Sequence, residues 1–335
     1  MNNHAIPQVF LDAKRIIDDT LEKGTSILDA AAETIVQNVF RIKPAKEKLS
    51  DQPEEVQWLE GERTQLKYHR DHTWAVPKMW AEMTAGAVGS GSYIFGVANS
   101  SKVAQVIGWG LGTGVKGILL WADLGRPDRI WKVFAKPNTS WISRGSWAFA
   151  FFAGSGAISL LPLPDVFKKP AQAVAVASGA VLMSYDGLFL HDSRSIPAWT
   201  DVILPPLFVA DAIQAGSTLA DALAARNANW LRCVSSVAGV TTAALHGVYV
   251  MRLQDGDIAS QLSARDLIKG RQANRYLIDS LLIGTIIPTI ATLSSDKPFA
   301  KAIAASSSML GTYSLRRAVL QSGIHAPVKN PPRSK

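Results

Sequence analysis

From residue 76 to residue 322 the chain is a succession of apolar runs, each long enough for one crossing of a lipid bilayer. A hydrocarbon core of ~30 Å takes about 20 residues of helix, and no other backbone form satisfies its own hydrogen bonds within a single segment. Eight segments fit that length: about Val76–Val97, Val103–Trp121, Gly145–Pro164, Pro170–Leu190, Val202–Ala220, Cys233–Met251, Tyr276–Leu293 and Phe299–Leu320. The first is free of charge from Met83 to Ser101, and the third carries none at all. Others are interrupted by single ionisable residues, Lys116, Asp186 and Asp211 among them. The expected fold is an all-α integral membrane bundle of about eight transmembrane helices.

A mean hydropathy of only +0.10 conceals this division, because the N-terminal quarter is polar. Residues 8–40 place Ile16, Ile17, Leu21, Ile27, Leu28, Ile35, Val36 and Val39 at roughly helical spacing between charged positions. This reads as an amphipathic helical extension, either solvated or lying on the bilayer or a partner. Residues 41–75 read as a linker, with Pro44, Pro53 and many charges. The expected organisation is an extension over 1–75 in the cytoplasm or on the membrane surface, a bundle over 76–322 and a tail over 323–335. MNNHAIPQVFLDAKR has no apolar core, so no cleaved signal peptide is expected.

Two function classes recede on composition. The net charge of +8 suggests nucleic acid, but the basic residues fall mainly between apolar runs, where they encode membrane topology. Cys233 is the only cysteine, so the chain cannot by itself ligate an iron–sulfur cluster through thiolates; such a centre would belong to a partner. The links on the side of the N-terminus are the basic ones: Arg126, Arg129, Lys132, Lys136 and Arg144 in one, Arg252, Arg265, Lys269, Arg271 and Arg275 in another. Both termini are therefore expected in the cytoplasm of a multi-pass inner-membrane protein. Gly86, Gly89 and Gly91 in the first run, with Gly108, Gly110, Gly112 and Gly114 in the second, predict close packing of those two helices.

Ionisable residues inside membrane helices are functional candidates by default. With the termini inside, Lys116, Tyr185, Asp186 and His246 fall toward the cytoplasmic ends of their helices, as do Glu82, Asp201 and Asp279; Asp211 lies deeper. Bland readings stand beside each: Glu82, Asp201 and Asp279 as helix flanks at the headgroups, Lys116 as a residue snorkelling to the interface, His246 as a packing residue. A deep carboxylate such as Asp211 requires a partner, a proton or a cavity. Tyr185 beside Asp186 suits a quinone carbonyl, since quinone chemistry moves two protons with two electrons. Trp121, Trp131, Trp141 and Trp147 read as interface anchors, some of them shielding the pocket.

The motifs MTAGAVGSGSY in the first helix, DLGRP at Asp123–Pro127, NTSWISRGSW at Asn138–Trp147, SYDGL at Ser184–Leu188 and IPAW at Ile196–Trp199 resemble those of the NrfD/PsrC-type membrane subunits of polysulfide-reductase-like complexes. The resemblance covers roughly residues 75–322. It implies a membrane anchor that reacts with quinone or quinol (menaquinone or ubiquinone) and binds no metal or haem of its own. It also implies a ferredoxin-like iron–sulfur partner and often a molybdenum or tungsten pterin catalytic subunit. Tyr185, Asp186 and Asp211 are then the candidates for proton-linked chemistry. Lys116, Tyr185 and His246 are the candidates for the head-group pocket, with Asp123 and Arg126 positioning the link or docking the partner. The acidic residue that the resemblance leads one to expect in the second helix is here Lys116. Two rivals remain at this stage: a haem b subunit using His191 and His246, and a transporter or proton channel using the same charges without redox work.

Overall fold

The computed structural model describes residues 77–123, 127–138, 140–192, 196–225 and 228–325. These residues are helical almost throughout, with no strand among them. The expected extension over 1–75 lies outside the described residues, as does the expected tail over 323–335 from residue 326 onward. Helix α1 spans Pro77–Ala98, and a tight turn with Ser100 at a φ of 55° returns the chain antiparallel to it. The returning rod is α2 (Lys102–Trp109), a π-helical stretch Gly110–Val115, and α3 (Lys116–Asp123). Ser101 caps α2 by accepting from the Ala104 N–H at 3.3 Å, satisfying one of the unpaired donors at a helix start. A 3-10 helix over Pro127–Phe134 leads to α4 (Trp141–Leu160), capped by Ser140.

Next come α5 (Asp165–His191), the short α6 (Pro197–Thr200), α7 (Leu204–Ala222) and α8 (Asn229–Asp255). Helix α9 (Ile258–Ile268) follows, capped by the Asp257 carboxylate. A π-helical stretch Asn274–Ile286 runs into α10 (Ile287–Ser294), and α11 spans Pro298–His325. Among the described residues, four rods are long and apolar enough to cross a membrane by length and composition: Lys102–Ala122, Asp165–His191, Asn229–Asp255 and Asn274–Ser294.

Several boundaries differ from the sequence reading. Helix α4 begins at Trp141, so part of the polar link is helical, because Ser140 supplies a cap the hydropathy pattern cannot register. Helix α5 begins at Asp165 and contains Pro170 in its second turn, where the ring removes one backbone hydrogen bond to the preceding turn. The link over 252–275 is more than a connection, since it contains α9.

The packing is inverted relative to a water-soluble bundle. Ile118, Val166, Leu293 and Phe299 stand on the outside at 66–77% exposure, whereas Asp186, Asp211 and Arg316 are buried at 3% or less. Apolar outer faces around an interior that holds these charges among apolar side chains suit a lipid solvent. The interior is possible because small residues let backbones touch. Helix α1 packs on α2, α5, α7 and α11. Gly89 lies against the backbone of Gly108 and Gly112, and Gly91 against Gly216 of α7. Gly284 meets Gly311, closing the hairpin of the last two rods. A side chain at any of these crossings would strike backbone, which has nowhere to move.

Candidate functional site

The glycine contacts that bring α1 against α2 and α3 also bring two opposite charges together inside the bundle. Glu82, in the second turn of α1, accepts a hydrogen bond and ion pair from the Lys116 ammonium at the start of α3. Gly86 makes room for the pair, since a Cβ there would lie 3.0 Å from the Lys116 side chain. The π-helical stretch ends immediately before Lys116, and such widened turns shift side-chain register and recur at functional positions.

Beside this pair is a cavity of about 230 Å³. Its polar lining is Glu82, Lys116, Tyr185 and Ser146, and the rest is mainly apolar, with Leu120, Trp121, Ile130, Val133, Phe134, Ile142 and Phe149. The Tyr185 ring is held on one side by Phe189, stacked at 5.7 Å between centroids, and on the other by Gly145, whose missing Cβ leaves space for it. Trp121, at 60% exposure, and Ile130, at 39%, place the apolar wall next to the outer surface of the bundle. The arrangement suits an amphipathic ligand: a small polar ring beside the charged pair and an apolar chain toward the lipid side.

Behind the Tyr185 wall lies a second group of buried charges. Arg316 of α11 donates from Nη1 to Asp211 Oδ2 at 2.7 Å, while Thr312, one turn earlier, donates to Asp211 Oδ1 at 3.1 Å. The Arg316 Nε lies 3.7 Å from Asp186 Oδ2, an ion pair too long for a hydrogen bond. The guanidinium also stacks over Phe208 at 4.8 Å. Asp186 belongs to this group because it follows Tyr185 on α5: adjacent helical positions point in different directions, one to the cavity and one to the core.

The sequence candidates thus separate. Lys116 and Tyr185 share the cavity; Asp186 and Asp211 share Arg316 instead. His246 lies on α8 and does not line the cavity; its ring meets Tyr276 edge-on at 4.9 Å, and the Tyr276 hydroxyl donates to the His246 carbonyl at 3.2 Å. Asp201 pairs with Arg252 at 3.0 Å and caps its own turn by accepting from Ile203 N–H. Asp123, Arg126 and Arg129 lie outside the residues whose side chains are described. Glu82, for which the sequence offers a headgroup-flank reading as well, and Arg316, which its position in the last apolar run does not single out, are the further charged residues at this place. A signal for Arg316 was available: Asp186 and Asp211 require a buried cation, and Thr312 and Arg316 at i,i+4 present one face of the last helix.

A helical bundle with apolar flanks and buried charges defines a multi-pass membrane protein. The chain belongs to the NrfD family, described as Polysulphide reductase, NrfD, whose pattern it matches over residues 71–327. Members of that family are membrane subunits of quinone-linked oxidoreductases. No curated protein matches the chain.

Proposed function

We propose that this chain is the membrane anchor and quinone-reactive subunit of a respiratory oxidoreductase, exchanging electrons between the quinone pool and an iron–sulfur partner. The observation that carries this reading is the cavity: apolar walls open toward the lipid side and a polar lining of Glu82, Lys116, Tyr185 and Ser146. A bound quinone would supply the two-electron, two-proton chemistry. The Lys116 ammonium and the Tyr185 hydroxyl are the donors available to hold a ring carbonyl. Glu82 keeps the ammonium charged and oriented, and exchanges protons with it. Leu120, Trp121, Ile130 and Phe134 exclude water around the head group and accept the apolar tail.

In this reading all eight long rods cross the membrane: the four above together with α1, α4, α7 and α11. The termini and the cavity face the cytoplasm, where a ferredoxin-like iron–sulfur subunit docks, joined by a molybdenum or tungsten pterin subunit in the complete complex. Family membership supports these assignments, since the family typically works with such subunits. The basic links support the orientation.

The test is purification in mild detergent from the native host. An iron–sulfur protein should co-purify, and the complex should oxidise or reduce a short-chain quinone analogue. Tyr185→Phe and Lys116→Met should each lower that turnover by about 100–10,000-fold, the range of a lost proton donor. Full turnover in both assembled variants would remove the cavity from the reaction.

A further inference from the structure

Glu82, Lys116, Asp186, Asp211 and Arg316 are all buried, at 8% exposure or less. Three are acids and two are bases. If every one were ionised, the group would carry a net charge of −1 inside an apolar bundle, where an uncompensated charge is strongly disfavoured. A proton bound by one carboxyl group removes that charge. The geometry identifies which carboxyl is free to hold it. Glu82 is tied to the Lys116 ammonium, and Asp211 receives hydrogen bonds from both Arg316 and Thr312. Among the described residues Asp186 Oδ2 receives none, and the cation paired with it, Arg316 Nε, is 3.7 Å away and itself without a hydrogen-bond partner there.

We propose that Asp186 carries one proton in the resting protein and stores it for the head-group cavity, with Arg316 acting as the positioning residue that reserves Asp211 as the ionised carboxylate. Asp186 lies one residue from the Tyr185 wall and close enough to Lys116 for the two to interact electrostatically. The remaining charged groups near α11, Arg317 with Arg275 and Asp279, lie on a different side: Arg317 stacks over Trp80 at 4.9 Å and is only half-buried, as are Arg275 and Asp279. From α4, Arg144 is exposed and bonded to the Pro137 and Asn138 carbonyls. None of them reaches Asp186 to replace the proton.

The inference rests on the quinone reading for its consequence but not for its first observable. Reduction of a bound quinone takes two electrons from the iron–sulfur partner and forms two O–H bonds. The bonds that break at the ring are one N–H on Lys116 and one O–H on Tyr185; the Tyr185 O–H is remade with the proton held by Asp186, and Lys116 and Asp186 are then reprotonated from water. Oxidation of a quinol is the same balance reversed.

Infrared difference spectroscopy of the purified complex on exchange into heavy water tests the storage step without any quinone. The wild type should show a protonated-carboxyl stretch; Asp186→Asn should abolish it, Asp186→Glu should shift it, and the charge-conserving Glu82→Asp should leave its position unchanged. Absence of the band in the wild type, or its persistence in Asp186→Asn, overturns the proposal. Should Asp186→Asn fail to assemble, Asp186→Glu decides alone: a band unchanged in position excludes Asp186 as its source. Turnover with a short-chain quinol then separates the two readings. Asp186→Asn should lower kcat about 100–10,000-fold at unchanged KM, with Asp186→Glu restoring most of it. A band assigned to Asp186 in a complex that turns over no quinone would retain the stored proton and refute the quinone function.

Discussion

Lys116 shows most directly how one residue type can sit where its charge is costly. Its ammonium is 4% exposed and survives there because Glu82 faces it. Removing one member of such a pair leaves a buried uncompensated charge and costs about 3–5 kcal/mol, whereas removing both costs much less. Lys116→Met should therefore lower the melting temperature of the detergent-solubilised protein more than the Glu82→Gln, Lys116→Met double variant does, a comparison that differential scanning fluorimetry can make. Equal losses would mean the pair is solvated. The residues of the cavity were legible in part. Lys116 and Tyr185 were visible as polar groups in apolar runs, and the structure places both in its polar lining. Glu82 and Arg316 were not assigned because ion pairing across 34 or 105 positions leaves no local spacing to read. His246 was grouped with them because helix direction gives depth in the bilayer but not azimuth around the helix, and azimuth decides which residues meet.

At the level of the helices, the rods themselves were the most legible feature, since length and apolarity alone specify them. Their ends were less so, because caps such as Ser140 act through one hydrogen bond and contribute nothing to hydropathy. Helix α9 was missed for a related reason: its polar composition resembled a link, although Asp257 followed by Ser260 forms a cap. The π-helical stretches at Gly110–Val115 and Asn274–Ile286 have no sequence signature that period counting detects. Glycines, by contrast, were correctly suspected of packing in the first two rods, but they are not equivalent there. Gly89 and Gly112 are at the crossing, while a Cβ on Gly110 or Gly114 would meet nothing within 4 Å. Gly110→Ala should leave assembly intact and raise stability slightly, by about 0.5–1 kcal/mol, from the reduced freedom of the unfolded chain. Gly89→Val should prevent the rods from closing and abolish accumulation of folded protein. Size-exclusion profiles of the two variants in detergent provide the check; similar profiles would mean that α1 and α2 do not cross as described.

Across the whole molecule, the buried charges divide between two ends of one interface. Arg316 and Asp211 lie at one level of α7 and α11. Thr218 and Ser308 hydrogen-bond further along at 2.8 Å, and Asp221 and Lys301 pair at 2.9 Å toward the other end. Asp211 and Asp221 are ten residues apart on one helix, or about 15 Å along its axis. This polar seam holds the last rod against the bundle, and it orients the molecule for a topology measurement. If the termini are cytoplasmic, the seam runs from Arg316 on the cytoplasmic side to Lys301 on the other. The turn after α7 is then outside and the end of α8 inside. Ala225 and Asp255, both exposed, mark those two places. Cys233 is exposed as well, so it must first be replaced by serine to leave an unlabelled background. In that background, a membrane-impermeant maleimide applied to intact cells should label Ala225→Cys at once and Asp255→Cys only after permeabilisation. The reverse pattern would turn the bundle over, place the cavity on the far side of the membrane and require an exported iron–sulfur partner. The basic links favour the first outcome, because Arg252, Arg265, Lys269 and Arg271 all lie at or beyond the end of α8, and translocating that cluster is opposed by the same charge asymmetry that sets membrane topology.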